Sequence, residues 1–143
     1  MKELYLVGYD DTDASRRALD FAVERAKAAK GSILMLFVLE WSPYSFLTNE
    51  ELAEQHARRK SELERAEKIV NPVAEKVRGS GVDCEALVRY GNAAELLCEV
   101  AAERDAVQIV IGRSGDSPLK SRLLGGLVLN LAQASPVPLI VVP

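Results

Sequence analysis

The sequence has few of the residues that mark several common classes of protein. It contains two cysteines and one histidine in 143 residues. Cys84 and Cys98 are too few for a disulfide framework and lack metal-ligand spacing, so neither a disulfide-stabilised fold nor a zinc site is expected. No apolar run reaches the roughly 18 residues of a membrane-spanning helix. No secretion signal is expected after Met1, because charged residues follow at once. These absences predict a cytoplasmic protein with reduced thiols.

A basic surface is also missing. The chain has 18 Lys and Arg against 21 Asp and Glu, a net charge of −3. Its densest basic run, residues 58–60, lies among glutamates, which is typical of a solvated helix face. We therefore expect neither a nucleic-acid nor a membrane partner. With 48% hydrophobic and 27% charged residues, the composition fits one soluble domain over residues 1–143.

Apolar runs alternate with helical patterns along the chain. Short apolar segments predict five strands, at residues 4–9, 32–39, 82–89, 107–111 and 139–142. Apolar spacings of three and four, with polar caps, predict helices at residues 13–30, 48–78, 93–104 and 127–134. The expected N-caps are Thr12 or Asp13, Thr48 and Asn92. Gly31 is expected to close the first helix, and Pro72 to kink or break the second.

This alternation predicts an α/β fold with an open, doubly wound, five-stranded parallel sheet of Rossmann-like or flavodoxin-like order. Such sheets bind ligands at the carboxyl ends of their strands, where the winding reverses. If the strand at 107–111 lies beside the first strand, the loops after Asp10 and Gly112 face each other across that crevice.

The glycines after the fourth strand are the strongest local signal. Gly112 ends the strand, Gly115 follows, and the pair Gly125-Gly126 precedes the last helix. Glycine lets a backbone approach a ligand closely, and a helix N-terminus attracts anions. The segment therefore predicts a phosphate-facing strand–loop–helix. A structural alternative stays open, in which Gly112 and Gly115 only turn the chain and Gly125-Gly126 only permit close packing.

Motifs for catalysis are absent from the sequence. It has no Walker A loop, no Gly-x-Gly-x-x-Gly after the first strand and no Gly-x-Ser-x-Gly. The single histidine, His56, lies in a charged helical stretch and is expected to be a surface residue. The sequence therefore does not predict an enzyme.

The spacing Gly112-x2-Gly115-x9-Gly125 resembles the signature of the universal stress protein family. Other segments resemble the family in the same order, at residues 4–10, 36–38, 91–95 and 136–142. The resemblance thus covers essentially the whole chain, and it implies an adenine nucleotide alpha hydrolase-like fold. It also implies a stress-response or regulatory role as a homodimer, paired through residues 137–142.

The resemblance further implies a site for ATP or another adenine nucleotide, with Mg²⁺ as a candidate companion. The implied binding residues are Gly8, Tyr9, Asp10, Val38, Ile111, Gly112, Arg113, Gly115, Gly125, Gly126, Leu127 and Val128. In this arrangement the base and ribose lie at residues 8–10 and on Val38. The phosphates then lie at the glycines.

The sequence departs from the family pattern at two positions. Family members that bind ATP carry Ser or Thr directly after the third glycine, and often a second hydroxyl two residues on. Gly126 and Val128 stand there instead. Gly126 keeps its N–H, and the cations Arg113, Lys120 and Arg122 are candidate phosphate partners, although solvated loop charges are the commoner use.

Three functions are consistent with these residues. The first is a nucleotide-binding regulatory dimer without efficient turnover. The second is a dimeric interaction module of the same fold that binds no nucleotide. The third is a slow ATP hydrolase in which Asp10 holds a metal ion. Asp10 and Asp11 have the alternative role of helix caps, and Trp41, Tyr44 and Phe46 are expected to form a lid or packing cluster.

Overall fold

The computed structural model describes residues 2–40, 48–113 and 126–143. Within these ranges strands and helices alternate in the predicted order. The elements are β1 (Leu4–Gly8), α1 (Asp13–Ala29), β2 (Ser32–Leu39), α2 (Asn49–Gly79), β3 (Asp83–Tyr90), α3 (Ala93–Glu103), β4 (Gln108–Gly112), α4 (Gly126–Ala134) and β5 (Leu139–Val142). The predicted strand bounds differ from these by at most one residue.

The strands form one parallel sheet in the order β3-β2-β1-β4-β5. The chain winds outward from β1 to β3 and then returns to place β4 on the other side of β1. The winding therefore reverses between β1 and β4, where Val7 is in register with Val110. The predicted neighbourhood of β1 and β4 is confirmed, and their carboxyl ends form the expected crevice.

Each face of the sheet carries its own buried cluster. Tyr5, Val7 and Met35 pack with α1 and α2 on one face, whereas Leu6 and Leu34 pack with α3 and α4 on the other. Because neighbouring residues of a strand point to opposite faces, a central strand covered by helices on both sides must be apolar throughout. The doubly wound α/β fold is thus confirmed.

The end of α1 differs from the prediction at Gly31. Lys30, not Gly31, takes the left-handed conformation, with a φ of 54°. The N–H of Gly31 donates to the carbonyl of Ala26 at 2.8 Å. A Cβ at position 31 would lie 2.5 Å from the carbonyl oxygen of Glu3. Glycine is therefore needed at this position because β1 approaches closely, and not because of a positive φ.

Of the kink or break predicted at Pro72, the break is wrong, since α2 runs from Asn49 to Gly79 with Pro72 inside it. Pro72 is exposed, so the carbonyl that loses its helical donor can bind water instead. Val70 and Ala74, on either side of it, are buried against the sheet. Their packing keeps the helix continuous across the proline.

We expect Pro72→Ala to raise the free energy of unfolding by about 2 kcal/mol. Inside a helix, proline is roughly 3 kcal/mol less favourable than alanine. Proline also restricts the unfolded chain, which lowers the expected gain from its removal by up to about 1 kcal/mol. Urea unfolding of both proteins measures the difference. Pro138→Ala is the matched control because Pro138 is exposed and lies outside the helices. A Pro72 variant no more stable than the control would contradict the prediction.

None of the helices in the described ranges has the length and apolarity to cross a bilayer.

Candidate functional site

A cavity of about 590 Å³ opens at the carboxyl ends of the central strands. Its walls come from the ends of β1, β2 and β4 and from the N-terminal residues of α1, α3 and α4. Cavities that hold small molecules span roughly 300–1,000 Å³. The crevice at the switch point is therefore large enough for a small ligand.

Nine of the twelve residues predicted to bind a ligand line this cavity. They are Gly8, Tyr9, Asp10, Val38, Ile111, Gly112, Gly126, Leu127 and Val128. Arg113 does not line it, and its N–H donates to the carbonyl of Val142 at 2.8 Å. Gly115 and Gly125 lie outside the described residues, as do Lys120, Arg122 and the aromatic residues Trp41, Tyr44 and Phe46.

Two of these glycines have a packing role regardless of any ligand. A Cβ on Gly112 would lie 2.1 Å from the carbonyl oxygen of Ala14, so the start of α1 rests directly on the end of β4. A Cβ on Gly8 would lie 3.1 Å from Cγ2 of Ile111. The structural alternative raised for Gly112 thus has a physical basis, which is close approach of a helix and not a turn.

Gly126 has no such constraint. Among the described atoms, none lies within 4 Å of the place a Cβ would occupy. The described residues therefore give no packing reason for glycine at position 126, and they leave room for a serine side chain there.

The turn between β1 and α1 is built around Thr12, which is the N-cap of α1. Ser15 N–H donates to Thr12 Oγ1 at 3.2 Å, and Thr12 N–H donates to Ser15 Oγ at 3.1 Å, which completes a capping box. Asp10 Oδ1 accepts from both the N–H and the hydroxyl of Thr12. The capping alternative for Asp10 is thus realised through Thr12. Within the described ranges no group of three His, Cys, Asp or Glu residues is placed to hold a metal ion.

Asp11 occupies the left-handed region, with a φ of 64°, in the same turn. Its Oδ1 accepts from the phenol of Tyr9 at 3.1 Å and from Arg16 Nη1 at 2.9 Å. Arg16 also donates to the carbonyl of Asp11 at 2.6 Å and to Asp13 Oδ1 at 2.7 Å. Burial raises the pKa of Tyr9, and the bond to Asp11 raises it further, so the phenol is neutral near pH 7. Asp11, which Arg16 holds in place, therefore fixes the phenol of Tyr9, a residue of the cavity wall.

A match to a family model identifies the family to which this chain belongs. Residues 5–143 match the model of the Universal stress protein family. The chain belongs to that family. Its relatives include universal stress protein YxiE of Bacillus subtilis strain 168, which is 30% identical over 142 residues, with 96% of each chain covered. The family predicted from the glycine spacing is confirmed.

Solved structures of other universal stress proteins have the same fold. UspA from Lactobacillus plantarum superposes with a TM-score of 0.85 at 20% identity, covering 99% of this chain and 97% of that one. A universal stress protein in complex with cAMP gives 0.71 at 24% identity, covering 99% and 96%. The protein from Archaeoglobus fulgidus in complex with dAMP gives 0.64 at 17% identity, covering 100% and 98%.

Several residues that line the cavity were not predicted from the sequence. They are Ala14, Ser15, Leu36, Glu40, Ala93 and Leu97, together with Thr12, which was predicted only as a cap. Leu36 and Leu97 look like ordinary core residues in the sequence. Glu40 could have been found, because an acidic residue directly after a buried parallel strand often faces the ligand crevice of such sheets.

Proposed function

We propose that this universal stress protein binds an adenine nucleotide and acts as a cytoplasmic regulatory homodimer without efficient turnover. The observation that carries the proposal is the cavity at the switch point. Its side walls at Leu36, Val38 and Leu97 are apolar and suit a purine. It is also lined by Gly126, the first residue of α4, and the N–H groups at the start of a helix suit a phosphate.

Ligands bound to proteins of the same fold support this proposal. The cAMP and dAMP complexes are of universal stress proteins, and both ligands combine an adenine base with phosphate. ATP, which is larger than cAMP and dAMP, is also a candidate ligand for this chain. Magnesium usually binds one or two carboxylates together with substrate phosphates, so we propose that any Mg²⁺ arrives with the nucleotide.

The homodimer is proposed from the position of β5 at an edge of the sheet, beside β4. Its four residues, Leu139–Val142, are all apolar, and each is partly exposed. Within the described ranges no strand pairs with its outer side, and such an edge offers backbone groups to another strand. A second copy of β5 would satisfy them and cover the apolar side chains.

Calorimetry with ATP, ADP and AMP at millimolar concentration tests nucleotide binding. We expect binding heat from the wild-type protein and none from Val38→Trp, because the larger side chain fills the apolar end of the cavity. Leu129→Trp is the control, since Leu129 is 47% exposed and does not line the cavity. Absence of heat with every nucleotide would overturn the proposal.

A second candidate is an interaction module of the same fold that binds no nucleotide. Gly126 and Val128 favour it, because both line the cavity and neither supplies the hydroxyl found in ATP-binding members. The third candidate, a slow hydrolase, would need Asp10 to hold a metal ion, and Asp10 Oδ1 accepts two hydrogen bonds from Thr12.

We expect the double substitution Gly126→Ser and Val128→Thr to strengthen ATP binding at least about tenfold. Hydrogen bonds to charged groups contribute roughly 1.5–3 kcal/mol each, and a tenfold change needs about 1.4 kcal/mol. Titration calorimetry measures the change, with Leu129→Ser as a control that adds a hydroxyl outside the cavity. If only the double variant binds ATP, the module is favoured for the natural chain. If affinity does not rise, the missing hydroxyls do not limit binding.

A further inference from the structure

The first part of α2 extends beyond the sheet that the rest of the helix covers. The buried residues of α2 begin at Ala66, and the hydroxyl of Tyr90, the last residue of β3, lies 3.0 Å from the carbonyl oxygen of Arg59. The residues before Arg59 therefore lie past the carboxyl end of β3. This segment, residues 49–58, is called the arm here, and it is about 15 Å long at roughly 1.5 Å per residue.

The arm continues the apolar stripe of α2 without the sheet that covers this stripe elsewhere. Nine of its ten residues are exposed, and Gln55 is partly buried. Leu52 lies about three turns before Leu63, so the two residues share one side of the helix. Leu63 packs against the buried cluster of the sheet, whereas Leu52 belongs to neither cluster and is 42% exposed. The apolar side of the arm is therefore open to a partner.

The charges of the arm are arranged in two groups of opposite sign. Glu50, Glu51 and Glu54 come first, and the basic run at residues 58–60 follows. Glu51 and Arg58 are seven residues apart, which is close to two turns, so both lie on the same flank of the stripe that holds Leu52. Neither forms an ion pair with another described residue.

This arrangement is complementary to an inverted copy of itself. In two arms that lie antiparallel, Glu51 of each copy faces Arg58 of the other. A parallel pair would instead place Glu51 beside Glu51 and Arg58 beside Arg58. A segment of uniform charge would be repelled by one end of the arm. A second copy of the chain, running in the opposite direction, therefore fits both the charges and the exposed leucine.

We propose that the arm is a self-association site at which two copies of the chain pair antiparallel around Leu52. Such a contact is isologous, since each copy contributes the same surface. Charges that flank the seam of paired helices set the choice of partner and the orientation. α2 packs on β3 and β2, whereas β5 lies at the other edge of the sheet. The arm contact is thus separate from the homodimer proposed through β5, and with both contacts the assembly exceeds a dimer.

Sedimentation equilibrium at low ionic strength tests the pairing with three variants. Glu51→Arg and Arg58→Glu each bring like charges together. Because the pair is symmetric, each substitution turns two attractions into repulsions, and we expect the association constant of the arm contact to fall about tenfold. The double variant with both substitutions restores opposite charges across the seam and should associate like the wild type. Added salt should weaken association of the wild type and the double variant alike.

Glu54→Arg is the matched control. It makes the same change of charge within the arm, but two residues from Leu52 and so on the opposite side of the helix, and it should leave association unchanged. Leu52→Ala should weaken association without changing any charge. Equal helix content by circular dichroism would show that the arm stays helical in every variant.

The outcomes separate the two contacts between copies. A fall in mass with Glu51→Arg that the double variant reverses would support the arm contact, whether the wild type is a dimer or a larger assembly. A dimer that no arm substitution alters would overturn the arm contact and leave the β5 homodimer standing. A wild type that stays monomeric at millimolar concentration would overturn both. Failure of the double variant to recover association would also refute the pairing of Glu51 with Arg58.

Discussion

Substituting alanine for Gly112 is expected to lower the free energy of unfolding by about 3 kcal/mol, the upper end of the usual cost of overpacking. The new Cβ would lie 2.1 Å from the carbonyl oxygen of Ala14 and 2.4 Å from its carbonyl carbon. Both are backbone atoms, so no side-chain rotation can relieve the clash. The first turn of α1 must move away from β4, and the cavity wall moves with it.

Guanidinium unfolding monitored by circular dichroism measures this loss. Gly79→Ala provides a matched control, because a Cβ at position 79 meets no described atom within 4 Å. Gly79 is the last residue of α2, where alanine is the better helix former by about 0.5–1 kcal/mol. The two substitutions are chemically identical and should have opposite signs. Equal effects would show that the approach of Ala14 is not what requires glycine at position 112.

Leu131→Ala is expected to cost about 3 kcal/mol, within the 2–5 kcal/mol range for emptying a buried leucine site. Leu131 is fully buried, whereas the other residues of α4 are at least partly exposed. It joins α4 to the cluster on the α3 side of the sheet. Because Gly126, Leu127 and Val128 reach the cavity from the same helix, the loosened α4 should also weaken any nucleotide binding.

Leu129→Ala is the control for this effect, since it removes the same atoms from a side chain that is 47% exposed. We expect it to cost under about 1 kcal/mol, because little apolar surface returns to water. Chemical denaturation gives both stabilities, and calorimetry gives both affinities. Similar losses for the two leucines would mean that α4 is not held by Leu131.

The sequence predicted the order and the type of the elements in the described ranges, because each local pattern agrees with the sheet that results. β4 is an apolar run that ends at Gly112, and β1 is a similar run, so their adjacency followed from the winding rules for parallel sheets. Residues at the ends of these strands could therefore be assigned to one crevice, and those within the described ranges, except Arg113, line it.

What the sequence could not predict depends on distances between elements. The sequence places Glu40 at the end of a buried strand, but how far β2 extends past β1 is set by the register of Gly8 with Leu36, which no local pattern encodes. Lys30 adopts the left-handed region that Gly31 was expected to take, and Gly31 is required instead by the close approach of the Glu3 carbonyl. In α2, exposure of Pro72 and tertiary packing outweigh the lost backbone bond.

The turn that carries Asp11 has a consequence for how the cavity responds to solvent. The side chain of Arg16 is 49% exposed, whereas Tyr9 is 2% exposed. Both contact Asp11, which therefore links a solvent-exposed residue with a residue of the cavity wall. Ions in solution screen exposed charge pairs more strongly than enclosed ones. Rising ionic strength should therefore weaken the contact between Arg16 and Asp11 before the enclosed contact between Tyr9 and Asp11.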